Sequence, residues 1–199
     1  MKTHGAYYII PWMLCVVPFA YSSSQHKPAW TYTDREGYAV MSAALGDVTK
    51  EWKDLIIRIE DDTVSKADVG PKLDACPKVL EEFASAERDF RWHLTRKSAL
   101  QNRFLLRLPY LLTGSGGSGD VVYPRSGKIR DRMPMSEGSF YLSGVGFDSS
   151  GMRAAVYVGY ECGGLCGSRR LHLLRKESGL WVEAKDIKPC ESVSCEWND

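Results

Sequence analysis

The strongest constraint in the sequence is the stretch from Gly138 to Lys185, where four short apolar runs are separated by three turn signals. The runs are Phe140 to Phe147, Ala154 to Tyr160, Leu171 to Leu174 and Leu180 to Ala184. Between them lie Asp148-Ser149-Ser150-Gly151, Cys162-Gly163-Gly164-Leu165-Cys166-Gly167-Ser168 and Glu177-Ser178-Gly179. β-Branched and aromatic runs split by Gly, Ser and Asp read as hairpins, because those residues tolerate the backbone angles of a tight reversal. Four runs with three short connections predict an antiparallel β-meander. The second run is apolar on both faces and is the expected central strand. In the fourth, alternation puts Leu180, Val182 and Ala184 on one buried face and Glu183 and Lys185 on the other. In the first, Phe140 and Leu142 differ in parity from Val145 and Phe147. Either a bulge at Ser143-Gly144 restores them to one side, or the run is an edge strand with a ragged face.

The N-terminus reads as an address. Lys2 and His4 precede an apolar stretch from Ala6 to Phe19, too short to span a bilayer comfortably, and Ala20-Tyr21-Ser22 supplies small residues two apart. This is the pattern of a signal peptide over residues 1–22, and it predicts a secreted or periplasmic protein. Cys15 follows Trp12-Met13-Leu14, which lacks the small residue of a lipoprotein box. Residues 23–33 read as an unstructured leader, 34–188 as one α+β domain and 189–199 as a C-terminal tail. On the order of 175 residues then remain, enough for a real core. A formal net charge of +1 gives no global field favouring nucleic acid or membrane.

In the N-terminal half, Asp34 to Leu45 reads as a helix with Asp34 as N-cap, Tyr38, Met41 and Leu45 on one face and Gly46 as its stop. Asp54 to Glu60 is a strand that exits at Asp61-Asp62-Thr63. A second helix is expected from Pro77 to about His93, with Glu81-Glu82 on its wet face. Arg103 to Leu112 is strand-like, with Pro109 marking an edge or a break. Gly114-Ser115-Gly116-Gly117-Ser118-Gly119 matches G-x-G-x-x-G, but Asp120-Val121-Val122-Tyr123-Pro124 follows instead of a helix, so a phosphate-binding loop is not expected. Arg125, Lys128, Arg130 and Arg132 read as a solvated loop, without the aromatics of a nucleic-acid surface.

Within the meander, Val145-Gly146-Phe147, Ala155-Val156-Tyr157-Val158, Cys162-Gly163-Gly164-Leu165-Cys166-Gly167, Leu173-Leu174-Arg175-Lys176, Gly179 and Trp181 form one pattern. It resembles a group of small exported bacterial proteins with a VGF…ALVYV…CGxLCG…L-x-K…G-x-W signature, and covers about a quarter of the chain. Tyr38 to Leu45 and Leu55 to Thr63 resemble the N-terminal half of that group less specifically. The group has no assigned activity, so the resemblance implies fold and export but no reaction. After the second cysteine the chain departs from it, with Arg169-Arg170-Leu171-His172 where the group continues in glycine and aromatics.

Cys76, Cys162, Cys166, Cys190 and Cys195 follow the expected cleavage point. In an exported chain, disulfides are the default, pairing Cys162 with Cys166 and Cys190 with Cys195 and leaving Cys76 odd. A second reading makes Cys162-x-x-x-Cys166 functional, as a thiol-redox pair or a soft-metal site for Cu(I) with His172 as third ligand. Strand parity instead sets His172 beside Arg170 and Lys176, on a solvent face. No G-x-S-x-G or H-E-x-x-H occurs, and a hydrolase would require His93 or His172 to converge with an acid. Tyr157, Tyr160 and Trp181 are candidates for a ligand groove or for core. The sequence therefore reads as an exported, non-enzymatic protein without cofactor or membrane span, binding a protein partner or small ligand, with thiol-redox or soft-metal chemistry at Cys162 and Cys166 as the alternative.

Overall fold

The structure is a computed structural model that describes residues 30–69, 81–114, 119–124, 133–163, 166–185 and 187. The stretch expected to be a signal peptide, most of the expected leader, Cys76, Pro77, Cys190, Cys195, the centre of the glycine-rich loop and the basic segment lie outside the described residues.

Helix α1 (Arg35–Val48) begins where Asp34 accepts a hydrogen bond from the Glu36 amide at 3.0 Å. This satisfies one of the orphan donors of the first turn. Gly46 does not stop the helix, contrary to expectation. An interior glycine costs only about 1 kcal/mol, and Thr49 supplies the stop instead, its amide and hydroxyl both donating to the Leu45 carbonyl. Strand β1 (Ile56–Thr63) follows Asp54, which turns the chain with a positive φ of 54°. The strand continues through Asp61 and Asp62, which are therefore not its exit. A short helix α2 (Lys66–Val69), a single 3-10 turn (Glu81–Phe83) and helix α3 (Ala84–His93) come next. The strand expected from Arg103 shrinks to β2 (Tyr110–Thr113). It starts immediately after Pro109, whose carbonyl still accepts from the Ile57 amide at 3.0 Å. The pair β3 (Val121–Val122), not a helix, follows the glycine-rich loop.

The C-terminal half forms β4 (Met135–Leu142), β5 (Gly146–Phe147), β6 (Arg153–Glu161), β7 (Gly167–Glu177) and β8 (Leu180–Glu183). These pair antiparallel in the expected meander, with β5 also on β6. The sheet as a whole is mixed, however. Its order is β3-β2-β1-β4-β6-β7-β8, and β1 runs parallel to both β2 and β4. Parallel neighbours require long crossovers, and the segment from β1 to β2 is such a connection, carrying α2 and α3.

β6 is the strand on which both layers close. Ala154, Val156 and Val158 join Tyr38, Val40, Met41, Ala44 and Leu45 of α1 in one core. Ala155 and Tyr157 join Phe83, Ala86 and Phe90 in a second core on the other face. The helices thus lie on opposite faces of the sheet. Each fully buried large side chain of α1 contributes roughly 1.5–3 kcal/mol of transfer free energy.

Two local irregularities adjust this packing. At Ser143-Gly144 the β4–β5 edge spends one more residue than β6, since Leu142 pairs with Val158 and Gly146 with Ala155. This is the bulge, and Phe140, Leu142, Val145 and Phe147 all face the α1 core. The buried Ser143 hydroxyl accepts from the Tyr157 amide at 2.9 Å and donates to the Gly144 carbonyl at 2.7 Å, replacing the interrupted ladder. From Leu180 to Ala184 the face expected to be buried is buried only at Ala184. Leu180 is exposed, whereas Trp181 is buried and its indole N–H donates to Glu36 Oε2 at 3.1 Å. The larger ring and its polar partner on α1 decide which face turns inward. The Lys176 and Trp181 donors hold the Glu36 carboxyl below its ordinary range.

Helix α3 sits directly on β5. A Cβ at Gly146 would overlap the Phe90 amide nitrogen and the Ala86 carbonyl oxygen, both backbone atoms that no rotamer change can move. Gly146→Ala is therefore expected to lift α3 from the sheet and destabilise the fold by about 1–3 kcal/mol. A urea titration showing an unchanged midpoint would contradict that packing.

Candidate functional site

Helix α3 covers the β5–β6 part of its face and leaves the neighbouring part open. Strand register decides what is exposed there. Arg58 pairs with Ser139, Tyr141 with Gly159, and Gly159 with Arg169. Glu60 and Asp62 of β1, Tyr141 of β4, Tyr157, Gly159 and Glu161 of β6, and Arg169 of β7 therefore share one surface. Together with Asp61, Asp68 of α2, Lys97 and Gly114 they line a cleft of about 460 Å³. That volume lies within the range of small-ligand sites, roughly 300–1,000 Å³. Gly159 forms the floor between the two tyrosine rings.

The cleft is dominated by negative charge, five carboxylates against two cations. Some of this charge is compensated internally. Lys97 bridges to Asp68 at 3.1 Å, and Arg169 pairs with Glu161. Burial would raise the Asp68 carboxyl, but the Ser65 amide and hydroxyl together with Lys97 outweigh it and hold it below its usual range. Glu60 accepts from the Thr113 hydroxyl at 3.2 Å. Asp62 behaves oppositely. Desolvation and then the neighbouring Asp61 push its carboxyl above the ordinary value, with Glu60 adding to the shift and Lys97 opposing it. The Tyr141 phenol is raised in turn by burial and by the charges of Glu60 and Glu161. It stays a neutral donor.

Cys162 and Cys166 form a disulfide with Cα atoms 5.2 Å apart, within the range such bridges require. The Cys162 amide donates to the Cys166 carbonyl at 3.1 Å, closing the β6–β7 hairpin. Cys166 is exposed and Cys162 half-buried. The bridge stands at the end of the cleft, since Glu161 immediately precedes Cys162 and Arg169 lies three residues after Cys166.

His172 is not on the solvent face. It is fully buried, and its Nδ1 lies 3.0 Å from Glu183 Oε2, a carboxylate that Arg170 also approaches at 3.9 Å. The even-numbered residues of β7 face α1, whose layer covers this part of the strand. The structure does not bring His172 to the cysteines. Six residues of extended strand separate it from Cys166, about 20 Å at the usual rise. Among the described residues no group of three or more His, Cys, Asp or Glu is placed to hold a metal ion. His93 lies on α3 with Nε2 3.9 Å from Asp89, packed against Gly144, and burial lowers its pKa. Neither histidine lines the cleft. Of the candidate aromatics, Tyr157 reaches the cleft, while Tyr160 and Trp181 pack on the α1 face.

Sequence reasoning missed Glu60, Asp62, Tyr141 and Lys97. A signal did exist, in the alternation Ile57, Ile59 against Arg58, Glu60, Asp62, which marks a strand with one polar face. What the sequence does not show is that β4 and β6 set two tyrosines beside that face.

The Asp62 shift has a thermodynamic consequence. A carboxyl whose folded pKa is raised favours the protonated form, so the ionised group subtracts stability at neutral pH. Below its ordinary value of 3.8 both folded and unfolded chains carry the proton, and the deficit disappears. Asp62→Asn is expected to raise Tm at pH 7 by on the order of 1–2 °C. The gain should shrink toward zero near pH 3, as followed by circular dichroism melts. The chain matches no protein-family model, no curated protein and no solved structure. Its cleft is therefore interpreted on its own geometry.

Proposed function

We propose that the protein is an exported, non-enzymatic binding protein that takes a small cationic ligand, bearing ammonium or guanidinium groups, in the cleft between β1, β4 and β6. The observation that carries this reading is the cleft itself, a ligand-sized recess with Tyr141 and Tyr157 beside Gly159 and the carboxylates of Glu60 and Asp62 on the adjoining strand. Tyrosine faces attract cations through the ring quadrupole, and partial desolvation strengthens that attraction. Carboxylates on a rigid strand give hydrogen bonds to the charged head, each worth roughly 1.5–3 kcal/mol. An incoming cation would also relieve the destabilisation at Asp62, so the strained carboxylate favours occupancy. Export rests on the apolar N-terminal stretch and is consistent with the Cys162–Cys166 bridge.

A second reading is thiol–disulfide redox chemistry at Cys162 and Cys166. It is favoured by the exposure of Cys166, since exchange requires that an attacking thiolate reach a sulfur.

Calorimetric titration with spermidine and with arginine amide tests the cleft, with uncharged N-acetylcitrulline amide as control. Both cations should bind and the uncharged control should not. Asp62→Asn should weaken binding about tenfold, or ~1.4 kcal/mol. Binding should also fall as acid protonates Asp62. Gly159→Leu should remove it, because a Cβ there meets only ordinary contacts at 3.4–3.7 Å and the longer side chain fills the recess. Equal binding by wild type and Gly159→Leu, in a variant whose melting curve is unchanged, would rule the cleft out.

A further inference from the structure

The disulfide and the cleft share a hairpin, and this juxtaposition points to regulation. We infer that the Cys162–Cys166 bridge is a redox switch that sets the affinity of the cleft. The inference rests on the cation-binding reading above.

The geometry is direct. β6 enters the hairpin through Gly159, Tyr160 and Glu161, and β7 leaves it through Gly167, Ser168 and Arg169. Gly159 and Glu161 line the cleft on one strand, and Arg169 lines it on the other. The pair Glu161–Arg169 therefore spans the hairpin base diagonally, since Glu161 is registered with Gly167 and Gly159 with Arg169. The disulfide is the next link outward. It holds the last ladder pair, Glu161 with Gly167, and the Cys162 amide on the Cys166 carbonyl. On the β6 side the strand end keeps its other neighbour, since β4 pairs with β6 up to Ser139 and Glu161. The β7 side has no such support among the described residues, because β8 pairs with β7 only from Leu174 to Glu177. With the bridge open, the β7 side of the terminal pair frays first, and Arg169 loses its fixed position beside Glu161 on the rim. The inner pairs, backed by both cores at Tyr157 and Val158, remain formed. The expected effect is thus confined to the rim.

The chemistry balances with a dithiol reductant. One of its thiolates attacks a cysteine sulfur, the S–S bond breaks, and the resulting mixed disulfide is resolved by the second thiolate. Two electrons and two protons pass to the protein, giving Cys162 and Cys166 thiols and leaving the reductant as its cyclic disulfide. The accessible Cys166 sulfur and its half-buried partner make the bridge reachable without unfolding the sheet.

The experiment uses the full chain, oxidised or treated with dithiothreitol, with spermidine as the probe and amide hydrogen exchange as a ligand-independent readout. Reduction is expected to weaken spermidine about twofold to fivefold, the range that loss of one rim ion pair gives. Exchange should accelerate at Ser168, whose amide faces β6 beside Arg169, while Ala155 to Val158 stay protected. The double variant C162S/C166S should match the reduced wild type and no longer respond to dithiothreitol, and C190S/C195S should respond as the wild type does. Accelerated exchange confined to 162–166 with unchanged affinity overturns the switch while leaving the cleft reading intact. A C162S/C166S variant that still responds to reductant overturns it as well. If the oxidised chain binds no spermidine although the hairpin base responds, the cation reading fails, and the switch falls with it.

Discussion

Strand β6 has to be covered on both faces, and most of the molecule follows from that requirement. Ala154, Val156 and Val158 on one side and Ala155 and Tyr157 on the other are all buried. A strand with two apolar faces is stable only as the middle of three layers. Helix α1 closes one face and α3 the other. α3 reaches its position because Gly146 lets its backbone rest on β5. A helix of ten residues is only about 15 Å long, so α3 cannot shield the full width of an eight-stranded sheet. The uncovered part of its face must be polar, and Arg58, Glu60, Asp62 and Arg169 make it so. The cleft is thus what remains when one short helix covers one half of a wide sheet.

Local encoding decides which parts of the fold are legible in the sequence. The meander, the central position of β6 and the Asp34 cap were readable because each is encoded locally, by period, turn residues or capping chemistry. The bulge at Ser143-Gly144 was readable as one of two options, and the Ser143 hydroxyl bonded to the Tyr157 amide settles it. The parallel placement of β1 between β2 and β4 was not legible, since β1 is separated from β2 by more than forty residues of chain and no local signal marks a partner so far away. His172 shows a second limit. Parity set it correctly with Arg170 and Lys176, but only the position of α1 reveals that this face is buried at His172. Trp181 shows a third, because its burial is decided by Glu36 on a helix at the other end of the sequence.

The cleft carries charge in a form that folding alone does not favour. Asp61 is buried beside Gly114, and Asp62 stands next to it on the opposite face of β1. Glu60, two residues before Asp62, shares its face. Desolvation first, and then the charge of the adjacent Asp61, raises the Asp62 carboxyl, and Glu60 adds to the shift. Other carboxylates are paired across elements, as Glu82 is with Arg153 and Arg175, or Glu36 with Lys176. A carboxylate left unfavourable where its neighbours are matched fits a surface whose complement arrives from outside the chain.

The two ends of β6 differ in how they are secured, and the difference bears on function. At its start, Arg153 is held by Asp148 and Glu82, and the bulge and α3 pack against the residues that follow. That end is fixed by non-covalent contacts with several elements at once. At its far end β6 keeps β4 as a neighbour up to Glu161, but its β7 partner runs past β8, and the disulfide closes that side of the hairpin. Closing so small a loop contributes only about 2 kcal/mol in the chain-entropy model, modest beside the burial of two cores. The same constraint is large compared with the free energy that positions one rim ion pair. In the proposed switch the bridge acts most strongly on the side of the rim that lacks other support, at Arg169, which lines the cleft beside Glu161.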